Sequence, residues 1–260
     1  MSMDPSNPYS PPSFPGGVQP PLKPVAGMDY MRMLSYIFEN PNWFMNCLLS
    51  GLCMLIPIIG SIVMSGYQFE VAIGLILSGG ARYPDFDFNR FGDYLMRGLW
   101  PFLAGLVLSF GIMLILGVLF GAAAAVGAVA GNDAGQAISG GLSLLIMLIS
   151  PVFFFIVQPM LFRAALTMDF GQAFQIEWVK DYLQKIWLEL LLGFLFWYVA
   201  SMVLSTLGTL ACCVGLIIAI PAAFLAQAHL MFQVYSIYLS RGGTPVPIKM
   251  TAQPGMMPPM

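Results

Sequence analysis

Charge is scarce in this chain. Ten Lys and Arg and twelve Asp and Glu are spread over 260 residues, so charged residues make up 8% of the total against 58% hydrophobic, with a mean hydropathy of +0.82. Too few polar side chains remain to cover a water-facing surface, which excludes a water-soluble globule and makes lipid the solvent. The net charge is −2 and the cations stand singly rather than on one face, which excludes nucleic acid as a partner held through phosphates. There is one histidine, His229, and four cysteines, Cys47, Cys53, Cys212 and Cys213. None has zinc-ligand spacing, so no metal and no cofactor are expected and the cysteines read as small buried hydrophobes. A nucleophile elbow, a phosphate-binding glycine loop and a zincin motif are also missing; Gly79-Gly80 and Gly140-Gly141 lack the accompanying Lys and Ser or Thr. An enzyme is not expected.

What the chain does have is long apolar runs, each introduced by a short charged and aromatic segment. Residues 83–100, YPDFDFNRFGDYLMRGLW, recur in degraded form at 168–187, where Asp-Phe again leads through Asp-Tyr-Leu to a Trp; residues 36–43 form a third echo. The repeat predicts one unit used three times: an amphipathic surface segment, a Trp at the interface, then a membrane hairpin. A spanning helix needs about 20 apolar residues. The run 43–80 is nearly twice that and is broken by Pro57 and Gly60, which predicts two spans joined by a turn at 56–60. Residues 101–130 and 138–163 give a second pair around Gly131-Asn132-Asp133, and 187–210 and 214–239 a third around Ala211-Cys212-Cys213. Gly117xxxGly121 and Gly127xxxGly131 have the spacing that lets helix backbones approach, and are expected to serve packing.

The expected fold is therefore all-α: a polytopic membrane bundle of six transmembrane helices, arranged as three hairpins with interfacial amphipathic helices. Six crossings put Arg32, the loop with Arg82, Arg90 and Arg97, Arg163, Lys180, Lys185 and Arg241 on one side, leaving Asp133 on the other. Lys and Arg stay on the cytoplasmic side, so both termini are expected there, in the plasma or inner membrane. Residues 1–27 carry eight prolines and lack the basic-then-apolar pattern of a secretory signal; they are expected to be a disordered, solvated arm, with 28–241 as the membrane domain and 242–260 as a second disordered tail. In the first amphipathic segment Phe88, Phe91, Leu95 and Leu99 share one face and Arg90, Asp93 and Arg97 another; in the second, Ile176, Val179, Leu183 and Ile186 oppose Glu177, Lys180, Asp181 and Lys185. Both are expected to rest in the headgroup layer, with Trp43, Trp100, Trp178 and Trp187 as anchors.

Ionisable groups inside lipid are costly and are the first functional candidates. Glu70 falls near the middle of the second span, on a face that reads Gly66, Glu70, Gly74, Ser78 every four residues. Either protonation or an ion pair would make it tolerable, and Arg163, placed after Pro151 as Glu70 is after Pro57, is the expected partner; a proton or cation site at Glu70 is the sharper alternative. His229, Gln233, Ser236 and Ser240 form a polar stripe on the sixth span. His229 is expected to be a hydrogen-bonded interior residue, the alternative being a group that titrates near neutral pH and gates something. Asp85, Asp87 and Asp169 lack the ordered run of oxygen ligands of a calcium loop and are expected to cap the surface helices that follow.

The Ile-Pro-rich first run, Gly66-Tyr67 with Glu70 three residues on, Tyr83-Pro84-Asp85-Phe86-Asp87 and Gly98 resemble a prokaryotic family of integral membrane proteins, domain of unknown function 4013, which typically has Leu-Pro-x-Phe-Asp at the loop. In the second half Asp169-Phe170, Ala173-Phe174 and Ala228-His229-Leu230 are similar too, so that the resemblance covers residues 28–241. It implies a membrane location and a helical architecture and supplies no activity. The expected role is a non-enzymatic structural or interaction component of the membrane, with the bilayer and other membrane proteins as partners. The alternative is a small permease or ion- or proton-coupled transporter using Glu70, Arg163 and His229.

Overall fold

Each apolar run becomes a helix, and the breaks fall where proline and glycine put them. In the computed structural model, residues 27–81, 83–211 and 214–250 are described, with backbone only for Asn132 and 147–154. Arg82, Cys212, Cys213, the Pro151 side chain, and residues 1–26 and 251–260 of the two expected tails lie outside the described residues. The helices are α1 (Arg32–Ser35), α2 (Trp43–Cys53), α3 (Ile59–Ser78), α4 (Phe91–Ala130), α5 (Asn132–Thr167), α6 (Ile176–Leu210) and α7 (Leu216–Ser240). Short 3-10 turns at Tyr36–Glu39, Phe88–Arg90 and Gly171–Phe174 lead into α2, α4 and α6.

Among the described residues, four helical stretches are long and apolar enough to cross a bilayer: Ile59–Ser78, Phe88–Ala130, Ile176–Leu210 and Leu216–Ser240. The α2 helix is not. Its 11 residues extend about 16 Å at 1.5 Å per residue, half of the roughly 30 Å hydrocarbon core. The expected break after it is there, with Ile58 at φ 65° just before α3, but the length of α2 departs from a full span. The interfacial segments also differ from expectation in being continuous with the spans: residues 91–100 are the first turns of α4, which runs on through Pro101, and 176–186 open α6, with a kink at Ile186 where the amphipathic part meets the apolar part.

The core lies between α3 and α7, whose spanning windows are 78% and 72% buried, whereas only 6% of the α4 window and 11% of the α6 window are covered by protein. The outer lengths of α4 and α6 thus present Leu, Val, Ile, Phe and Met outwards, a surface that hydrocarbon solvates and water does not. Near the tip of the α4–α5 hairpin Gly127 packs against Gly135, while Gly117 and Gly121 face open space; of the expected small-residue contacts, the hairpin uses the one nearest its turn.

One expectation is overturned at the C-terminus. Residues 242–250 begin the stretch read as a disordered tail, yet Val246 and Ile248 are fully buried in the main core. The two lie two residues apart in a non-helical stretch, and this spacing, rather than overall composition, carries the burial.

Candidate functional site

The site grows from a close approach of two helix backbones. Gly66 on α3 lies against the Tyr94 carbonyl of α4, and Gly98 on α4 against the Ile62 carbonyl of α3, so a Cβ at either position would collide with main chain. Small residues at such a crossing let the axes come together. One turn beyond Gly66, Glu70 then faces the first three turns of α4 rather than the end of α5.

There the Nε of Arg97 donates to Oε1 of Glu70 at 2.5 Å and an Nη of Arg90 to Oε2 at 3.2 Å. Arg97 has no exposed surface, and the Glu70 side chain is 6% exposed. The remaining Arg97 donors reach the carbonyls of Ala165 at the end of α5, 2.9 Å, and of Lys249, 2.7 Å. Arg90 also meets Asp93 at 3.4 Å. One carboxylate and one guanidinium thus tie α3, α4, α5 and the C-terminal segment together. A buried guanidinium is tolerable only when its donors are satisfied in this way.

This corrects two expectations. The partner of Glu70 is Arg97, helped by Arg90, and not Arg163. And the charged face of the first amphipathic segment points inwards, with Arg97 buried while Phe88 is exposed, because the acid on α3 supplies the counter-charge that the headgroup layer was expected to provide. Arg163, 7% exposed, donates instead to Gln172 and Gln175 and lies 4.9 Å over the Trp178 ring. Among the described residues it makes no salt bridge, and its Nε has no hydrogen-bond partner. Trp178 is buried beneath it rather than set at an interface.

His229 is 1% exposed. Its Nδ1 is 2.8 Å from Nε2 of Gln233, its ring lies tilted by 34° against that of Tyr36 with centroids 4.4 Å apart, and its Nε2 has no hydrogen-bond partner among the described residues. Gln233 in turn clamps the backbone of Asp29, accepting from its N–H and donating to its carbonyl. The polar stripe on α7 therefore fixes the residues that follow the N-terminal arm. Glu70, Arg163 and His229 each have separate surroundings, and none of them lines the 30 Å³ cavity between α5, α6 and α7, the 490 Å³ groove along α3 and α4, or the 430 and 570 Å³ surface clefts.

The Tyr83–Asp87 loop is a clamp. Phe86 packs edge-on to Tyr67 of α3 and stacked on Tyr94 of α4, with centroids 5.1 and 5.2 Å away. Tyr67 donates to the Pro84 carbonyl, Tyr94 to that of Asp85 and Tyr83 to that of Ile37. The Asp85 carboxylate accepts from the side-chain amides of Asn40, Asn42 and Asn46 at 2.8–2.9 Å. Partial burial works to raise its pKa; the three amides together outweigh that and hold the carboxyl below its ordinary value. Burial likewise pushes the Tyr83 and Tyr36 hydroxyls well up. Asp87 accepts from the Asn89 N–H and caps the turn before α4; Asp169 accepts from the Gly171 N–H but Phe170, not Asp169, is the N-cap of the turn before α6, so Asp85 and Asp169 do not cap as expected. Sequence reasoning missed the asparagines and the Gln68–Gln227 bond, 2.8 Å, between α3 and α7; Asn40 and Asn42 on either side of Pro41, with Asn46 one helical turn on, were the available signal.

No curated protein and no solved structure matches the chain. The model of a protein family of unknown function, DUF4013, matches residues 49–226. That stretch contains the Gly66–Glu70 face, the Tyr83–Asp87 clamp, Arg97 and Gly98, and covers well over half of the sequence: the chain belongs to the DUF4013 family.

Proposed function

We propose that this is an integral, non-enzymatic membrane component that acts by binding other membrane proteins and lipid, with its charged end in the cytoplasm and both termini there, in the plasma or inner membrane of a prokaryotic cell. The observation that carries the reading is the state of Glu70. The acid best placed for transport is held by two arginines and built into the scaffold, while the large exposed apolar area on α4 and α6 is the surface left for lipid or partners.

In this arrangement the α4–α5 and α6–α7 hairpins cross, and the α2–α3 pair enters the bilayer and returns. The support is the short α2 together with a tip, 54–59, at which Leu55, Ile56, Ile58 and Ile59 are exposed; such a tip is stable in hydrocarbon and not in water. An even number of crossings leaves Arg32, Arg90, Lys180, Lys185 and Arg241 on one side, consistent with a cytoplasmic charged end. The test pairs crosslinking in native membranes with flux measurements in liposomes. Recovery of defined membrane partners and no solute or proton flux is the expected result; flux that is lost in Glu70→Gln, with no partner recovered, overturns it.

A further inference from the structure

The residues 244–250 that were expected to be free lie in a groove between the charged ends of α4, α5, α6 and α7. Among the described residues, every hydrogen bond to this segment goes to its main chain. Nε1 of Trp178 donates to the Thr244 carbonyl at 3.0 Å, and the Tyr238 hydroxyl accepts from the Thr244 N–H at 2.9 Å. The Tyr235 hydroxyl accepts from the Val246 N–H at 2.8 Å. The Leu166 carbonyl accepts from the Lys249 N–H at 2.9 Å, and Arg97 donates to the Lys249 carbonyl. Only two side chains of the segment are engulfed, Val246 and Ile248, two residues apart, while Thr244 and Lys249 are exposed and Pro245 and Pro247 half-buried.

This is how a groove recognises an extended peptide: main-chain bonds give affinity and pockets for alternate side chains give selectivity. The two prolines suit the ligand to it. Each fixes φ and lacks an N–H, so each stiffens the strand at a position where the groove offers no acceptor, and a pre-extended ligand loses less entropy on docking. We propose that the groove is a peptide-binding site for an extended, proline-spaced segment with β-branched side chains at i and i+2, occupied in cis by residues 244–250. The occupant is read by the buried charge cluster, because its Lys249 carbonyl is one of the three acceptors Arg97 has among the described residues. Displacing the segment strips Arg97 of that acceptor. The inference does not depend on whether the protein is enzymatic.

The experiment uses the full chain, with a site-specific protease sequence inserted after the exposed Gly242, folded in nanodiscs and then cut. The released segment is expected to stay bound and to exchange with a labelled synthetic peptide of residues 243–250. A peptide carrying Val246→Ser and Ile248→Ser, which forfeits both buried side chains, is expected to bind at least about a hundredfold more weakly. A cut chain with unchanged helix content that binds neither peptide at millimolar concentration overturns the proposal, as does equal binding of both. Should the insertion prevent folding, the same two substitutions in the uncut chain serve with hydrogen exchange. The amides of residues 246 and 249 are then expected to lose protection while those of α3 and α7 keep theirs, and protection retained at 246 and 249 overturns the proposal.

Discussion

Removing the Glu70 carboxylate is the perturbation whose size follows most directly from the structure. Arg97 has no exposed surface. In Glu70→Ala it keeps the Ala165 and Lys249 carbonyls but loses the one counter-charge it has among the described residues, and breaking one side of a buried pair costs about 3–5 kcal/mol. Glu70→Gln retains a neutral acceptor and is expected to cost less, about 2–3 kcal/mol, in the range of a hydrogen bond to a charged group. Arg90 adds little, because its side chain is 18% exposed and can turn to water. Replacing both partners, Glu70→Met with Arg97→Met, removes the stranded charge as well and should be clearly milder than the sum of the single changes. The assay is reversible unfolding in mixed detergent micelles, followed by circular dichroism, over the full double-mutant cycle. A cycle of Glu70 with Arg163, by contrast, should be additive within about 0.5 kcal/mol. The reasoning is refuted if Glu70→Gln is as stable as the parent, or if Arg163 couples to Glu70 as strongly as Arg97 does.

Gly98→Ala and Gly66→Ala each place a Cβ on an opposing carbonyl, so each is expected to destabilise by about 1–3 kcal/mol or more, whereas Gly117→Ala, facing open space, should be silent; thermal melts of the three side by side would decide. Asp85 has a lowered pKa, so the stability it contributes is present above the ordinary carboxylate value, near pH 4, and is lost as pH falls through the lower folded value. Protection of the Phe86 amide, which donates to Asn46, should fall over that acidic window in the parent, and Asp85→Asn should flatten the dependence; an unchanged profile in the variant removes the assignment. A cysteine introduced at Asp133 is expected to react with impermeant reagent from outside intact cells and one at Asp87 only after permeabilisation, while one at Ile56 should resist from both sides. Labelling of Ile56 from the outside would show that the α2–α3 pair crosses.

The second half of the charged pair was hidden in the sequence for a geometric reason. The four-residue spacing of Gly66, Glu70, Gly74 and Ser78 says which way Glu70 points on its own helix, and that reading agrees with a small-residue crossing at Gly66. It is silent about which neighbouring helix arrives there and at what height. Arg163 and Arg97 are equivalent by distance from the preceding proline or aromatic segment; only the matching of Gly66 to Tyr94 and of Ile62 to Gly98 puts α4 next to Glu70. The same ignorance of azimuth put Arg97 of the first amphipathic segment on an outward face, whereas it is buried while Phe91 and Leu95 also pack against the core.

Composition and local pattern alone gave the apolar helical class and the breaks expected at 56–60 and after Gly131, because transfer of a residue to hydrocarbon depends on that residue and its near neighbours. Tertiary structure decided that Arg97 rather than Arg163 answers Glu70, that three asparagines hold Asp85, and that Val246 and Ile248 fill a groove instead of trailing in solvent. Those outcomes depend on which surfaces meet, and the contacts that set them join residues as far apart as Arg97 and Lys249, a separation at which local pattern carries no information about distance.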